Sequence, residues 1–292
     1  MKHRILFAFL SIFVLLTGCI KEDMDDCGYT DLYFSYKGDG TSEIFSQKIE
    51  KVNLYVFDIH QQHLSTYIIE QNELDMHQGT SLNLRPGRYH IVCIGNAHDN
   101  TQISNLTDRN MEEILIAHPN YFSEAGNIPG NDSIYWSKIE IEVPENRALK
   151  DTVCFSTSHV DISIEIRGLN CLPGTVQLIM NNVTPCTSFT NQLCGDYVSY
   201  YPELEHDPVG NKFNAQFCTP RCCTKDSPIS FQLKKNDGTL LYELTLTEFL
   251  NKYNQIDVTK QEVLIPIIIE FKSIGVTVTI PDWLLEDTKP EF

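Results

Sequence analysis

The sequence predicts an all-β fold: two antiparallel β-sandwich domains carrying one or two short helices. Three observations predict it. Apolar and polar residues alternate with a period of two along most of the chain, turn dipeptides separate the alternating runs, and helical spacing is confined to two short segments. The 292 residues, 42% of them hydrophobic, suffice for two cores of ordinary size.

At the amino terminus Lys2, His3 and Arg4 precede an apolar run from Ile5 to Leu16. That run is shorter than the roughly 20 residues that span a bilayer. It ends in Leu16-Thr17-Gly18-Cys19, which resembles a bacterial lipobox. In such signals a small residue before the cysteine suits the lipoprotein peptidase, and the thiol receives a diacylglyceryl group. Residues 1–18 are therefore expected to be a signal peptide, with Cys19 as the lipidated first residue and 19–28 as an acidic tether. Two or three acyl chains, at about 0.8 kcal/mol per buried CH₂, hold a protein to a membrane where one chain does so only marginally. Removal of 1–18 takes away Lys2 and Arg4 and no acid, so the formal charge moves from −17 to −19. A field of that sign repels polyanions, and nucleic acid is excluded as a partner.

The strands follow from alternation. "KIEIEVP" puts Ile139, Ile141 and Val143 on one face and Lys138, Glu140 and Glu142 on the other, and "HVDISIEIRG" does the same with Val160, Ile162, Ile164 and Ile166. "KVNLYVFD", "YHIVCIGN", "VQLIM", "SFQLKK", "LLYELTL", "EVLIPIIIEF" and "GVTVTI" supply further strands. In "KKNDGTLLY" the Asp-Gly pair provides the positive φ of a tight hairpin turn. Helical spacing occurs in Leu106 to His118 and Leu246 to Asn254, with Thr107 and Thr247 as N-cap residues. The polar segment Pro144 to Asp151 is the expected boundary, giving one sandwich over 29–147 and a second over 148–292.

Chemistry-bearing motifs are sparse. The chain has no G-x-S-x-G, H-E-x-x-H, phosphate loop or dinucleotide fingerprint, so neither catalysis, a cofactor nor a small-molecule substrate is expected. His60 and His63 in "DIHQQHLS" read as residues of a hairpin connection. "CTPRCC" (Cys218, Cys222, Cys223) lacks a C-x-x-C or His partner, and no metal site is expected. Ten cysteines less Cys19 leave nine, an odd number whose pairing stays open. Cys93 and Cys154 fall in apolar runs and read as small buried hydrophobes.

One motif says more than its size: "SLNLRPGRYHIVCIGNA". Pro86 and Gly87 read as the structural turn of a type II corner joining two strands. L-x-P-G-x-Y followed by an apolar strand resembles transthyretin-like and adhesin sandwiches. In the order "CIKEDMDDC", "DLYFSY", "KIEKVNLYVFD", "LRPGRYHIVCIGNA", residues 16–100 resemble the amino-terminal half of the FimB/Mfa-type fimbrial anchor subunits of Bacteroidales-type outer membranes. Beyond that the similarity is one of architecture, down to a closing "GVTVTIPDW".

The resemblance implies two transthyretin-like sandwiches and a non-catalytic anchor at the base of a surface fimbria, with fimbrillin stalk subunits and outer-membrane lipid as partners. It implies assembly by strand exchange. The expected donor strand is Gly275 to Trp283, with Val276, Val278 and Ile280 on one face; the alternative is that this strand closes its own sandwich. Stalk subunits of the superfamily lose an early strand to an arginine-specific protease, but between Cys19 and Leu84 this chain has no arginine. The strand near Asp31 to Tyr36 is therefore expected to stay, leaving a subunit that donates and does not accept. Lys21-Glu22-Asp23 resembles the export signal that sends such lipoproteins to the cell surface. Other readings are a surface glycan-binding lipoprotein, or a tip or adhesin subunit of the same superfamily.

Overall fold

In a computed structural model the described residues are 29–107, 109–145 and 147–286. The signal segment, Cys19 and Lys21-Glu22-Asp23 lie outside them. The first half of the chain forms β1 (Tyr29–Ser35), β2 (Val52–Asp58), β3 (His63–Ile69), β4 (Gly79–Asn83) and β5 (Gly87–Gly95). Then come β6 (Gln102–Ile103), β7 (Leu115–Ala117), β8 (Tyr135–Val143), β9 (Leu149–Cys154) and β10 (Ser156–Thr157). The second half opens with β11 (His159–Arg167), β12 (Val176–Val183), β13 (Cys186–Ser188), β14 (Leu193–Cys194), β15 (Val198–Tyr200) and β16 (Glu205–Asp207). It continues with β17 (Lys212–Pro220), β18 (Ser230–Lys235), β19 (Leu240–Thr245), β20 (Leu264–Lys272) and β21 (Gly275–Thr279). Among the described residues five short helices intervene: α1 (Phe45–Lys48), α2 (Gln71–Met76), α3 (Pro119–Phe122), α4 (Leu246–Lys252) and α5 (Asp282–Glu286).

Sheets β4-β1-β9 and β10-β8-β5-β2-β3 face each other across a core that includes Leu32, Phe34, Leu54, Val56, Ile91 and Ile141. Sheets β16-β17-β11-β20-β21 and β15-β12-β18-β19 enclose a second core around Ile162, Ile164, Leu178, Phe231, Ile267 and Phe249. Each is the sandwich that alternation predicts, apolar side inward. Among the described strands pairing is antiparallel with two exceptions: β1 runs parallel to β9, and β11 parallel to β20. In both sandwiches the first strand thus pairs with a late one and lies at the centre of its sheet.

The fifth sheet, β14-β13-β7-β6, draws two strands from each half of the chain. It covers the outer face of the β10-β8-β5-β2-β3 sheet, burying Tyr55, Phe57, Val92 and Ile94 in a third core with Met111, Ile114, Ile116 and Phe189. Strands covered on both faces lose alternation and become near-continuous apolar runs. "VNLYVFD" and "HIVCIG" are such runs, and β2 and β5 are the strands so covered.

Several expectations change. Leu106 to His118 is not a helix: its described residues are turns and loop ending in β7, which pairs with β6 and β13. The reason lies in its backbone hydrogen bonds. The carbonyls of Met111 and Ile114 accept from Phe189 N at 3.1 and 3.0 Å, and Leu115 N, which in a helix would donate to Met111 O, donates to Ser104 Oγ at 2.8 Å. α4 forms as expected, but its N-cap is Thr245, and the Thr247 hydroxyl donates instead to Ser227 O at 2.8 Å. Leu149–Cys154, assigned from sequence to the second sandwich, is a strand of the first, in register with β1 from Thr30–Leu149 to Ser35–Cys154. Cys154 is exposed, whereas Cys93 is buried as expected.

The Pro86-Gly87 corner is not a type II turn. Gly87 has φ +155°, far from the roughly +80° that turn requires, and it already pairs as the first residue of β5, opposite Val143. The corner carries the chain from one sheet of the sandwich to the other, since β4 pairs with β1 and β5 with β2 and β8. Tyr89 Oη donates to Arg85 O at 2.9 Å and ties the corner together. The Asp-Gly hairpin is present between β18 and β19, where Gly238 takes φ +88°.

Candidate functional site

β1 lies between two partners. It pairs antiparallel with β4 and parallel with β9, so both of its edges are used. Leu32 and Phe34 are fully buried against the opposite sheet, worth roughly 1.5–3 kcal/mol each. Phe34 also packs against Phe45 and Phe155 with ring centroids 5.8 and 5.7 Å apart. Taking β1 away would leave an apolar slot walled by β4 and β9, with a row of unpaired backbone groups on each wall.

β21 is an edge strand. It is antiparallel to β20 over the pairs Ile268–Thr279 to Lys272–Gly275, and among the described residues its other edge carries no strand. Val276 and Val278 pack at the margin of the second core, Ile280 is buried in it, and Trp283 is exposed. Tyr253 Oη donates to Val278 O at 2.7 Å, so the residue following α4 fastens the strand. The expected donor strand thus rests on its own sandwich, with the apolar side chains on one face as predicted.

Between the sandwiches the loop before β20 meets the loop after β1. The Tyr36 hydroxyl donates to Glu262, which also pairs with Lys48 Nζ. The Asp39 carboxylate accepts from Gln261 N at 3.0 Å. Thr157 N donates to Gln261 Oε1 at 2.8 Å, and Arg221 reaches Thr157 Oγ1 at 2.9 Å and Val258 O at 3.0 Å. Burial would raise the Glu262 carboxyl, but hydrogen bonds from Lys48 and Tyr36 outweigh it and hold the group below its ordinary range. Sequence reasoning missed this junction, because no local pattern links residues 36–48 to 257–262.

One cluster has the look of catalytic machinery. Cys218 Sγ lies 2.8 Å from Asp161 Oδ1 and 3.2 Å from Ser133 Oγ, and His159 Nε2 lies 3.8 Å from Asp161 Oδ2. Burial and then the facing Asp161 carboxylate push the thiol up to about 12. A nucleophilic cysteine needs the opposite shift. Cys222 and Cys223 are buried in the second core, and among the described residues no group of three or more His, Cys, Asp and Glu side chains could hold a metal ion. His63 is held by Thr66 Oγ1 at 2.8 Å and meets Phe57 edge-to-face, with ring centroids 5.5 Å apart.

The described residues thus form two sandwiches with a filled first sheet and a fastened terminal strand. A model of the family described as Fimbrillin-A associated anchor proteins Mfa1 and Mfa2 matches residues 24–289. The chain belongs to this family. Members of the Mfa1 and Mfa2 anchor family are structural proteins and not enzymes, and membership makes the chain a fimbrial subunit of the cell surface that associates with other fimbrial subunits.

Solved structures share the fold. The fimbrial anchor protein Mfa2 from Porphyromonas gingivalis superposes with a TM-score of 0.65 at 14% identity, over 86% of this chain and 95% of that one. A candidate adhesin from Bacteroides ovatus gives 0.71 at 15%, over 90% and 96%. A candidate polysaccharide-binding protein from Bacteroides thetaiotaomicron VPI-5482 gives 0.71 at 14%, over 88% and 96%. No curated protein sequence matches the chain. Among the described residues no helix is long and apolar enough to cross a membrane.

Proposed function

We propose that this family member is the lipid-anchored basal subunit of a surface fimbria, held to the outer membrane through Cys19 and limiting the fibre's length. The observation that carries the proposal is the place of β1, paired on both edges between β4 and β9. A subunit that keeps this strand has no slot to offer an incoming one. It gives a strand, takes none, and ends the fibre.

The strand it gives is Gly275 to Trp283. Leaving home would cost the five register pairs to β20 and expose Ile280, and insertion into a neighbouring subunit would restore both backbone pairing and side-chain burial there. Lys21-Glu22-Asp23 serves as the surface address. The test is deletion of residues 275–292 in cells that assemble the fibre. The truncated subunit is expected to reach the surface while fibres detach into the medium. Fibres retained on cells whose truncated subunit is folded and surface-exposed would overturn the strand-exchange mechanism.

A further inference from the structure

The hairpin β13–β14 is a plug. Its turn residue Phe189 is fully buried in the third core, with ring centroids 4.8 Å from Tyr55 and 6.1 Å from Phe57. Trp136 Nε1 donates to Phe189 O at 3.0 Å, and the hairpin edge pairs with β7 from Cys186–Ala117 to Ser188–Leu115. The second half of the chain is thereby keyed into the first. The turn is closed by Ser188 N to Gln192 O at 2.9 Å and by Asn191 at φ +59°.

At the root of this hairpin stand two cysteines. Cys186 and Cys194 are direct register partners on adjacent antiparallel strands, and their Sγ atoms lie 3.0 Å apart. Gly195 follows at φ +89°, and a Cβ there would meet the Tyr121 hydroxyl at 2.7 Å and Cys186 Sγ at 3.0 Å. The glycine lets Tyr121 and the thiols close up on one another. Cys186 is buried and Cys194 half-buried, so one sulfur is open to a reagent and the other waits behind it.

We infer that Cys186 and Cys194 form a disulfide that staples the base of the plug once the chain has left the cytoplasm. The remaining described cysteines do not present this arrangement: Cys93 is enclosed in the first core, Cys154 is exposed on β9, Cys171 packs at the margin of the second core, Cys218 faces Asp161 and Ser133, and Cys222 and Cys223 are chain neighbours. Oxidation proceeds by thiol–disulfide exchange with a dithiol oxidase that carries its own disulfide. The Cys194 thiolate attacks that disulfide, forming a mixed disulfide and releasing one thiolate of the donor. The Cys186 thiol gives up its proton and attacks Cys194 Sγ, the mixed bond breaks, and the donor leaves as a dithiol. Two electrons and two protons pass from the cysteine pair to the donor. The hydrogen bond from Cys186 lowers the Cys194 thiol, which suits it to the first attack, and raises the Cys186 thiol. A surface protein meets the oxidising compartment that such bonds require.

The test uses the full chain expressed with export and isolated from membranes under iodoacetamide, without reductant. Trypsin leaves Cys171, Cys186 and Cys194 on one peptide, so chymotrypsin, which cuts after Phe189, separates the pair for mass spectrometry. The expected result is a Cys186–Cys194 cross-linked peptide that divides in two after reduction. Recovery of both cysteines as carbamidomethyl derivatives, or of either joined to another cysteine, would overturn the inference. A Cys186→Ser, Cys194→Ser variant is expected to melt roughly 5–10 °C lower than the oxidised protein. It should melt close to the wild type when both are held in dithiothreitol. A variant with the oxidised protein's melting temperature would count against the staple, and if the variant fails to fold, the peptide result on the wild type decides alone. The inference does not rest on the anchor function.

Discussion

The Tyr36 hydroxyl of the first sandwich donates to the Glu262 carboxylate of the second, 226 residues further along the chain. Tyr36 is buried, and Lys48 completes the carboxylate's partners from the exposed side. Burial and then Glu262 raise the phenol well above its ordinary range, so it remains a donor at every physiological pH. The pair is one of several fixed points between the two halves, beside the Asp39–Gln261 and Thr157–Gln261 contacts and the β13–β14 plug.

A pH dependence follows. The folded Glu262 carboxyl lies below its ordinary value of 4.5, so its contribution is present above pH 4.5 and is lost as pH falls through the folded value. Glu262→Gln is expected to lower stability at pH 7 by about 1–2 kcal/mol. The deficit should shrink as pH drops below about 4.5. Urea denaturation of both proteins at pH 7 and pH 4 measures it. Glu43, whose carboxylate accepts from Ser35 Oγ, Tyr36 N and Phe45 N, is depressed too. The variant therefore keeps part of the wild type's acid sensitivity, and equal deficits at both pH values would contradict the assignment.

Phe189→Ala removes the plug's side chain and leaves a hole lined by Tyr55, Phe57 and Ile114. The expected cost is about 3–5 kcal/mol in denaturant unfolding. Because the residue joins the halves, the transition should also broaden or split. A loss below about 1 kcal/mol with a single sharp transition would show the hairpin to be dispensable.

The first arginine after Cys19 is Arg85, at the exposed corner beyond β4. An arginine-specific maturation protease has no site at which to release β1 on its own. Co-expression with such a protease should leave residues 29–36 on the mature protein, as read by amino-terminal mass analysis. A mature chain starting beyond Tyr36 would sink the proposed terminator role.

Replacing Cys19 by Ala is expected to abolish incorporation of labelled fatty acid and shift the protein to the soluble fraction. Replacing Lys21, Glu22 and Asp23 by Ala should keep the label but remove sensitivity to protease added outside intact cells. Membrane retention of the Cys19 variant would speak against lipid anchoring at that residue.

Much of this was legible because strands are written locally. β8, β11 and β18 show alternation that needs no partner to be read, and Asp237-Gly238 marks its own turn. The long apolar runs of β2 and β5 were legible as strands, but the sheet that covers their second face was not. Leu106 to His118 misled because Met111 and Ile114 have helical spacing for a tertiary reason, both flanking the Phe189 backbone. The cysteines of "CTSFTNQLC" sit at the two roots of a hairpin, a spacing that signals their pairing once the turn is recognised.

By itself the sequence determined the all-β class, most of the long strands, and the absence of arginine between Cys19 and β4. Side-chain periodicity and short motifs are local properties, and each acts without reference to the rest of the chain. Only the tertiary structure decided that β9 belongs beside β1, that β7 pairs with β13, and that Glu262 meets Tyr36. It also brought Cys186 face to face with Cys194. The long-range pairings depend on which distant edges and apolar faces complement one another after loop closure, which no local pattern encodes.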